Sequence, residues 1–163
     1  MPDVDSELTL RDLLAERAVL RGLYAYAHGL DYGPEEDFLD VFVAEGSWRR
    51  RPGRNQERVF AGREALTQMY RDHVHAPEYF HKHVVSNPVI DVTGDTATAR
   101  SYLILVAEHP EGPYIRRFSR CFDKWIRTED GRWRLQSREA ELESSSDRDF
   151  PPTPWANTTA IVA

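Results

Sequence analysis

HKHVVSNPVIDVTGDTATARSYLIL, residues 81–105, decides how this chain folds. It is rich in Val, Ile, Thr and Tyr, which suit a pleated surface, and it is broken once, at Thr93-Gly94-Asp95. A turn of that kind joins antiparallel neighbours. The stretch predicts one strand over 81–92 and a second that starts at Thr96 and runs to His109. Downstream the pattern repeats: Pro110-Glu111-Gly112 and Glu129-Asp130-Gly131 bound further runs over 114–127 and 132–143. Four strands joined by short turns predict an antiparallel meander. At about 11–14 residues each they exceed the usual ~5–6, and long twisted strands coil, leaving a cavity where they wrap on helices.

Upstream of Pro77 the apolar period changes. Leu10, Leu13, Leu14, Ala18, Leu23 and Ala27 recur at the spacing of an amphipathic helix over about 8–29, with Thr9 and Asp12 as its capping pair and Gly29 or Gly33 as its end. Pro34 opens a second helix whose Glu35, Glu36 and Asp37 suit a positive helix start, running to about Ala44. GSWRRRPGRNQERVFAG, residues 46–62, reads as two short strands around a Pro-Gly turn, followed by a third helix from Arg63 to about Val74. Three helices and then a sheet predict an α+β domain. The expectation is a cone-shaped, curved antiparallel sheet packed on three N-terminal helices and enclosing a pocket. From Ser144 the composition turns to Ser, Asp, Pro and Thr, so the domain is placed at 1–143, with 144–163 as a tail that covers the pocket or stays mobile.

The net charge of -6 speaks against nucleic acid, which requires a basic surface to displace counterions from phosphates. Arg49, Arg50, Arg51 and Arg54 cluster in a Pro/Gly-containing connection without interleaved aromatics and read as a solvated loop. Cys121 is the only cysteine, so no intrachain disulfide forms. The acidic start lacks a signal peptide's basic and apolar regions, and no stretch reaches the ~20 apolar residues that span a bilayer. The expected location is cytoplasmic, away from membranes.

Taken in order, the first helix, Tyr26-x4-Asp31, the second helix, FAGREAL (60–66), the 81–105 run and DKWIRTEDGRWRL (123–135) resemble the nuclear transport factor 2 superfamily in its SnoaL-like branch. The resemblance covers about Leu8 to Glu143. That superfamily places scytalone dehydratase, bile-acid dehydratases, hexachlorocyclohexane dehydrochlorinase, polyketide cyclases and noncatalytic dioxygenase β subunits on one scaffold, so function rests on the site. The resemblance implies a lyase or isomerase without cofactors acting on a hydrophobic small molecule. The alternative is a noncatalytic binding or assembly subunit. It also implies a homodimer or higher homo-oligomer, for which the outer sheet face near Trp125 and Ile126 is the expected contact.

Asp31 sits where the first helix ends, against the negative end of the dipole, a position that gains nothing without a facing donor. It is either a turn-forming Asp or, as the resemblance implies, the carboxylate that orients a catalytic histidine. His83 is that histidine by resemblance; its unperturbed pKa of ~6.5 suits proton abstraction near neutrality, and the alternative is a core histidine bonded to backbone. His81 shares its face with His83, Val85, Asn87 and Val89 by the period of two. Tyr26 lies about 140° around the helix from Asp31 and is either a phenol donor to a developing oxyanion or a core tyrosine.

His73, His75, His81 and His83 invite a metal reading, but no Asp or Glu stands at an obvious third-ligand spacing and the resembling enzymes need no metal; none is expected. Remaining substrate-binding candidates are His109 at the end of the second long strand, Cys121 and Arg138. Cys121 reads as a small buried filler in the pocket wall, where relatives carry an aromatic. Arg138 reads as an anion holder or as a surface arginine paired with Glu139 or Glu141.

Overall fold

Thr9 starts the first helix as its sequence suggests. A computed structural model describes residues 9–51, 56–76 and 78–144. In α1 (Leu10–Asp31) the Thr9 hydroxyl accepts from the Asp12 amide at 3.2 Å, and the Asp12 carboxylate accepts the Thr9 amide at 3.1 Å. Of the two expected ends, the helix takes the one at Gly33: the amides of Tyr32 and Gly33 both close onto His28 O at 2.9 Å. Asp31 is therefore its last residue, held by helical backbone.

α2 (Glu35–Asp40) is shorter than its apolar run, since Val41 O is taken by the Leu135 amide at 2.8 Å and the chain is drawn into β1 (Phe42–Arg50). β2 (Arg58–Ala61), α3 (Gly62–Arg71), β3 (His81–Thr93), β4 (Thr96–Ala107), β5 (Tyr114–Arg127) and β6 (Trp133–Leu142) follow. α3 stops before His73, which places His73 and His75 in the connection to β3. Residues 1–8, 52–55 with Arg54, 77 and, Ser144 apart, the 144–163 tail lie outside the described residues. Among the described residues no helix is long and apolar enough to cross a membrane.

The six strands form one curved, unclosed sheet in the order β2-β1-β6-β5-β4-β3. Its β3–β6 part is the expected meander. The sheet as a whole is mixed rather than antiparallel, because β1 lies parallel to β6, with Trp48 opposite Arg138. Two irregularities matter for the site. In β3 the register slips between Ser86 and Val89, where Asn87 takes a left-handed φ of 50°. Beyond this bulge Ile90 and Val92 face the core, while Asn87 and Val89 turn outward, so the shared face expected for His81 through Val89 ends at Val85. The second slip lies between Lys124 and Trp125 where β5 meets β6.

The helices cover the inner face, where Val19, Leu23 and Leu30 of α1 pack with Ala97, Ala99, Trp125 and Leu135. Trp125 is 1% exposed and belongs to the core. Gly22 lets α1 approach it: a Cβ there would stand 2.6 Å from the Trp125 ring. Gly22→Val is expected to cost about 1–3 kcal/mol, as overpacking does when the neighbour cannot move, and urea unfolding measures the loss.

Candidate active site

The end of α1 and the start of β3 meet at Asp31. His83 Nδ1 donates to Asp31 Oδ1 at 2.5 Å, and the His83 amide donates to Oδ2 at 2.8 Å. Helix α1 thus carries its terminal carboxylate to a place where two donors from a single strand residue offset the unfavourable dipole. Both side chains are buried, with 5% exposure for Asp31 and 10% for His83. Burial pushes the Asp31 carboxyl up, but hydrogen bonds from His81 and His83, with the charge His83 carries when protonated, outweigh it and hold the group well below the usual carboxylate range. An ionised carboxylate only accepts, so His83 carries its proton on Nδ1 and presents a lone pair on Nε2. The constellation is a base with a fixed tautomer.

The connection after α3 is stapled to the same corner. His75 Nδ1 faces Leu30 O at 2.8 Å and its Nε2 faces Tyr70 O at 2.9 Å, the Ala76 amide donates to Asp31 O at 3.0 Å, and the Tyr70 hydroxyl donates to Gly33 O at 2.6 Å. His75 is therefore spent on backbone. His73 is not: its Nε2 lies 3.3 Å from His81 Nε2, which is itself 3.3 Å from Asp31 Oδ1. Burial first, and then the neighbouring imidazoles, push His73 down to about 3, so it is neutral at ordinary pH. The ligand atoms of Asp31, His73, His81 and His83 lie within 4.8 Å of one another. Sequence spacing hid this cluster because its carboxylate comes from the helix, 42 residues before His73.

The other expected residues are placed elsewhere. Tyr26 lies between Phe38 and Phe42, with the Arg138 guanidinium 4.0 Å above its ring, rather than beside the dyad. Arg138 is 1% exposed and pairs in bidentate fashion with Asp123, at 2.8 and 2.7 Å, not with Glu139 or Glu141 on the surface. His109 lies in the turn beyond β4, accepts the Glu111 amide at 3.3 Å and meets the Tyr114 ring edge-on, outside the Asp31 cluster.

Cys121 is buried on the inner face, opposite Ser101 and Ala140. Burial raises its thiol to about 11 and the Tyr26 phenol to about 12. In both groups the folded state holds the proton more tightly than the unfolded chain, so their contribution is complete below about pH 9 and is lost as pH rises towards 11–12. The expected results are a thiol silent to a disulfide reagent in folded protein at pH 8, and stability that falls above about pH 9 in urea titrations.

Register fixes what lies between the two polar centres. His83 stands opposite Leu105, and Leu105 opposite Arg117; Val85 stands opposite Leu103, and Leu103 opposite Ser119. This half-buried, mainly apolar strip of inner face leads from the dyad towards Cys121 and the Arg138–Asp123 pair. Two cavities bounded by described residues lie elsewhere. One of about 740 Å³ runs along α1 beside Arg21, Asp37 and Trp133, and one of about 270 Å³ lies beside Asn87, Tyr102 and Phe122; neither is lined by Asp31 or His83.

Comparison with known proteins agrees with this architecture. A protein of unknown function from Mycobacterium tuberculosis superposes with a TM-score of 0.71 at 20% identity, over 85% of this chain and 78% of that one. ActVI-ORFA from Streptomyces coelicolor gives 0.68 at 21%, over 79% and 97%. The β subunit of a putative aromatic-ring-hydroxylating dioxygenase from Novosphingobium aromaticivorans gives 0.66 at 19%, over 81% and 91%. These likenesses are of fold. No curated protein matches the chain. The family model described as a SnoaL-like domain matches residues 11–139, nearly the whole of the helix-and-sheet unit described above. The chain belongs to the SnoaL-like domain family.

Proposed function

We propose that the protein is a lyase or isomerase in which His83 removes a proton from carbon and Asp31 holds His83 in the tautomer that can do so. The observation that carries this reading is the buried, doubly hydrogen-bonded Asp31–His83 pair. His83 Nε2 takes a proton from carbon next to an electron-withdrawing group. The electron pair then forms a double bond, either expelling hydroxide or halide or resting on an enolate oxygen that is reprotonated elsewhere. Asp31 stays ionised and stabilises the imidazolium. The apolar strip of Leu103, Leu105 and Val85 suits a hydrophobic, polycyclic, aromatic or polyketide-like substrate.

A noncatalytic assembly subunit, the second reading, has no need of a carboxylate buried at a helix C-terminus and satisfied by a histidine; the pair's burial favours catalysis. In either case a second copy of the chain fits the outer sheet face, where Val84, Tyr102 and Phe118 are exposed. The test is turnover of hydrophobic carbonyl compounds bearing a β-hydroxyl or β-halide, with proton exchange followed in deuterated water. Activity undiminished by His83→Ala in folded protein would remove the reading.

A further inference from the structure

We propose that Asp31, His73 and His81 form a binding site for a divalent transition-metal ion of the zinc type, with His83 as the outer-sphere group that orients the carboxylate. Hydrogen bonding sets the protons. His81 Nδ1 lies 2.6 Å from Tyr79 O, and a carbonyl only accepts, so Nδ1 carries a hydrogen; an ion that replaces the Nε2 proton facing Asp31 finds the ring's lone pair at Nε2. That lone pair points into a space shared with Asp31 Oδ1 at 3.3 Å and His73 Nε2 at 3.3 Å. Three electron-rich atoms converge there. One proton between the two imidazoles leaves the carboxylate oxygen facing a lone pair, whereas a cation at the centre engages all three.

The spacing fits an ion. Bonds of about 2.0–2.1 Å in a tetrahedron place ligand atoms about 3.3–3.4 Å apart. Both edges from His81 are 3.3 Å, and the ligand atoms all lie within 4.8 Å of one another. The surroundings are those of a built site: each ligand imidazole in such centres hands its other N–H to an acceptor, as His81 does to Tyr79 O, and the carboxylate is itself hydrogen-bonded, as Asp31 is by the ring and amide of His83. Two imidazoles and one carboxylate leave a coordination position open and select borderline ions over magnesium or calcium. His75, committed to two backbone carbonyls, is not a ligand. The ion does not displace the His83 proton, but it shares Asp31 Oδ1 with the acid–base pair, so the two readings meet at one carboxylate and are tested by different readouts.

The test uses the full chain stripped with a chelator, titrated with zinc against a chromophoric competitor and with cobalt(II) as a spectroscopic substitute. One equivalent of zinc is expected to bind, with the intense visible absorption of four-coordinate cobalt. His73→Ala and His81→Ala, each checked for folding by circular dichroism, should weaken zinc about 100-fold or more, at or beyond the upper range for losing an outer-sphere partner, whereas His83→Ala should weaken it about 10–100-fold. His28→Ala, on the exposed side of α1, should leave it unchanged. Absence of stoichiometric binding, a weak six-coordinate cobalt spectrum, or equal affinity in wild type and His73→Ala overturns the proposal. Because no substrate is involved, failure here and failure of the His83 turnover test are read separately.

Discussion

Arg138→Met is expected to lower stability by about 3–5 kcal/mol, the cost of leaving one member of a buried ion pair without its partner. Asp123 is 3% exposed and meets Arg138 through two parallel hydrogen bonds of 2.8 and 2.7 Å. Burial pushes the Arg138 guanidinium down, and the charge and hydrogen bonds of Asp123 outweigh it and raise its pKa above the usual arginine range. With arginine gone, the carboxylate remains buried near Tyr26 and Cys121 without its cation. Arg138→Met combined with Asp123→Leu removes both charges and is expected to recover most of the loss or exceed wild-type stability, because desolvating an ion pair offsets much of its attraction. Urea unfolding of the two single variants and the double variant measures the coupling. A double variant no more stable than Arg138→Met would show that the guanidinium works mainly through its packing on the Tyr26 ring.

That pair also shows how far the sequence could be read. Alternation along β5 correctly sets Asp123 on one face with Arg117, Ser119 and Cys121, and the Asp130-Gly131 turn correctly joins β5 to β6. Counted back from that turn in unbroken register, however, Asp123 would oppose Ser137. The one-residue slip at Lys124 and Trp125 brings Arg138 there instead, and no composition signal announces it. The bulge at Asn87-Pro88 likewise reverses the faces of β3 halfway along. The parallel contact of β1 with β6 joins segments about 90 residues apart and leaves no turn to read. Local features such as the Thr9 cap, the long strands and their turns were legible because neighbouring residues determine them. Asp31 and His83 were legible only through the family pattern. His73 was legible as one of four histidines but its approach to Asp31 was hidden, since that depends on the His75, Ala76 and Tyr70 contacts that fold the α3–β3 connection onto the end of α1.

His83→Ala is expected to lower turnover about 10²–10⁴-fold, the usual contribution of a positioned general base, with the fold retained. The His83 side chain is only 10% exposed but lies outside the apolar core cluster, so truncation removes chemistry more than packing. Asp31→Asn tests the other half of the pair. An asparagine offers one carbonyl oxygen to two donors, the ring and the amide of His83, and its NH2 group must face one of them. If the oxygen takes the backbone amide, the ring has to turn its unprotonated nitrogen towards the new NH2, which moves the proton to Nε2 and leaves no base facing the substrate. A loss of the same order as His83→Ala is therefore expected, and the double variant should be little worse than either single, because the two residues act as one unit. Independent, multiplying losses would mean that Asp31 acts on the substrate by itself. A mild Asp31→Asn defect beside a severe His83→Ala one would mean that the tautomer is fixed by something other than this carboxylate.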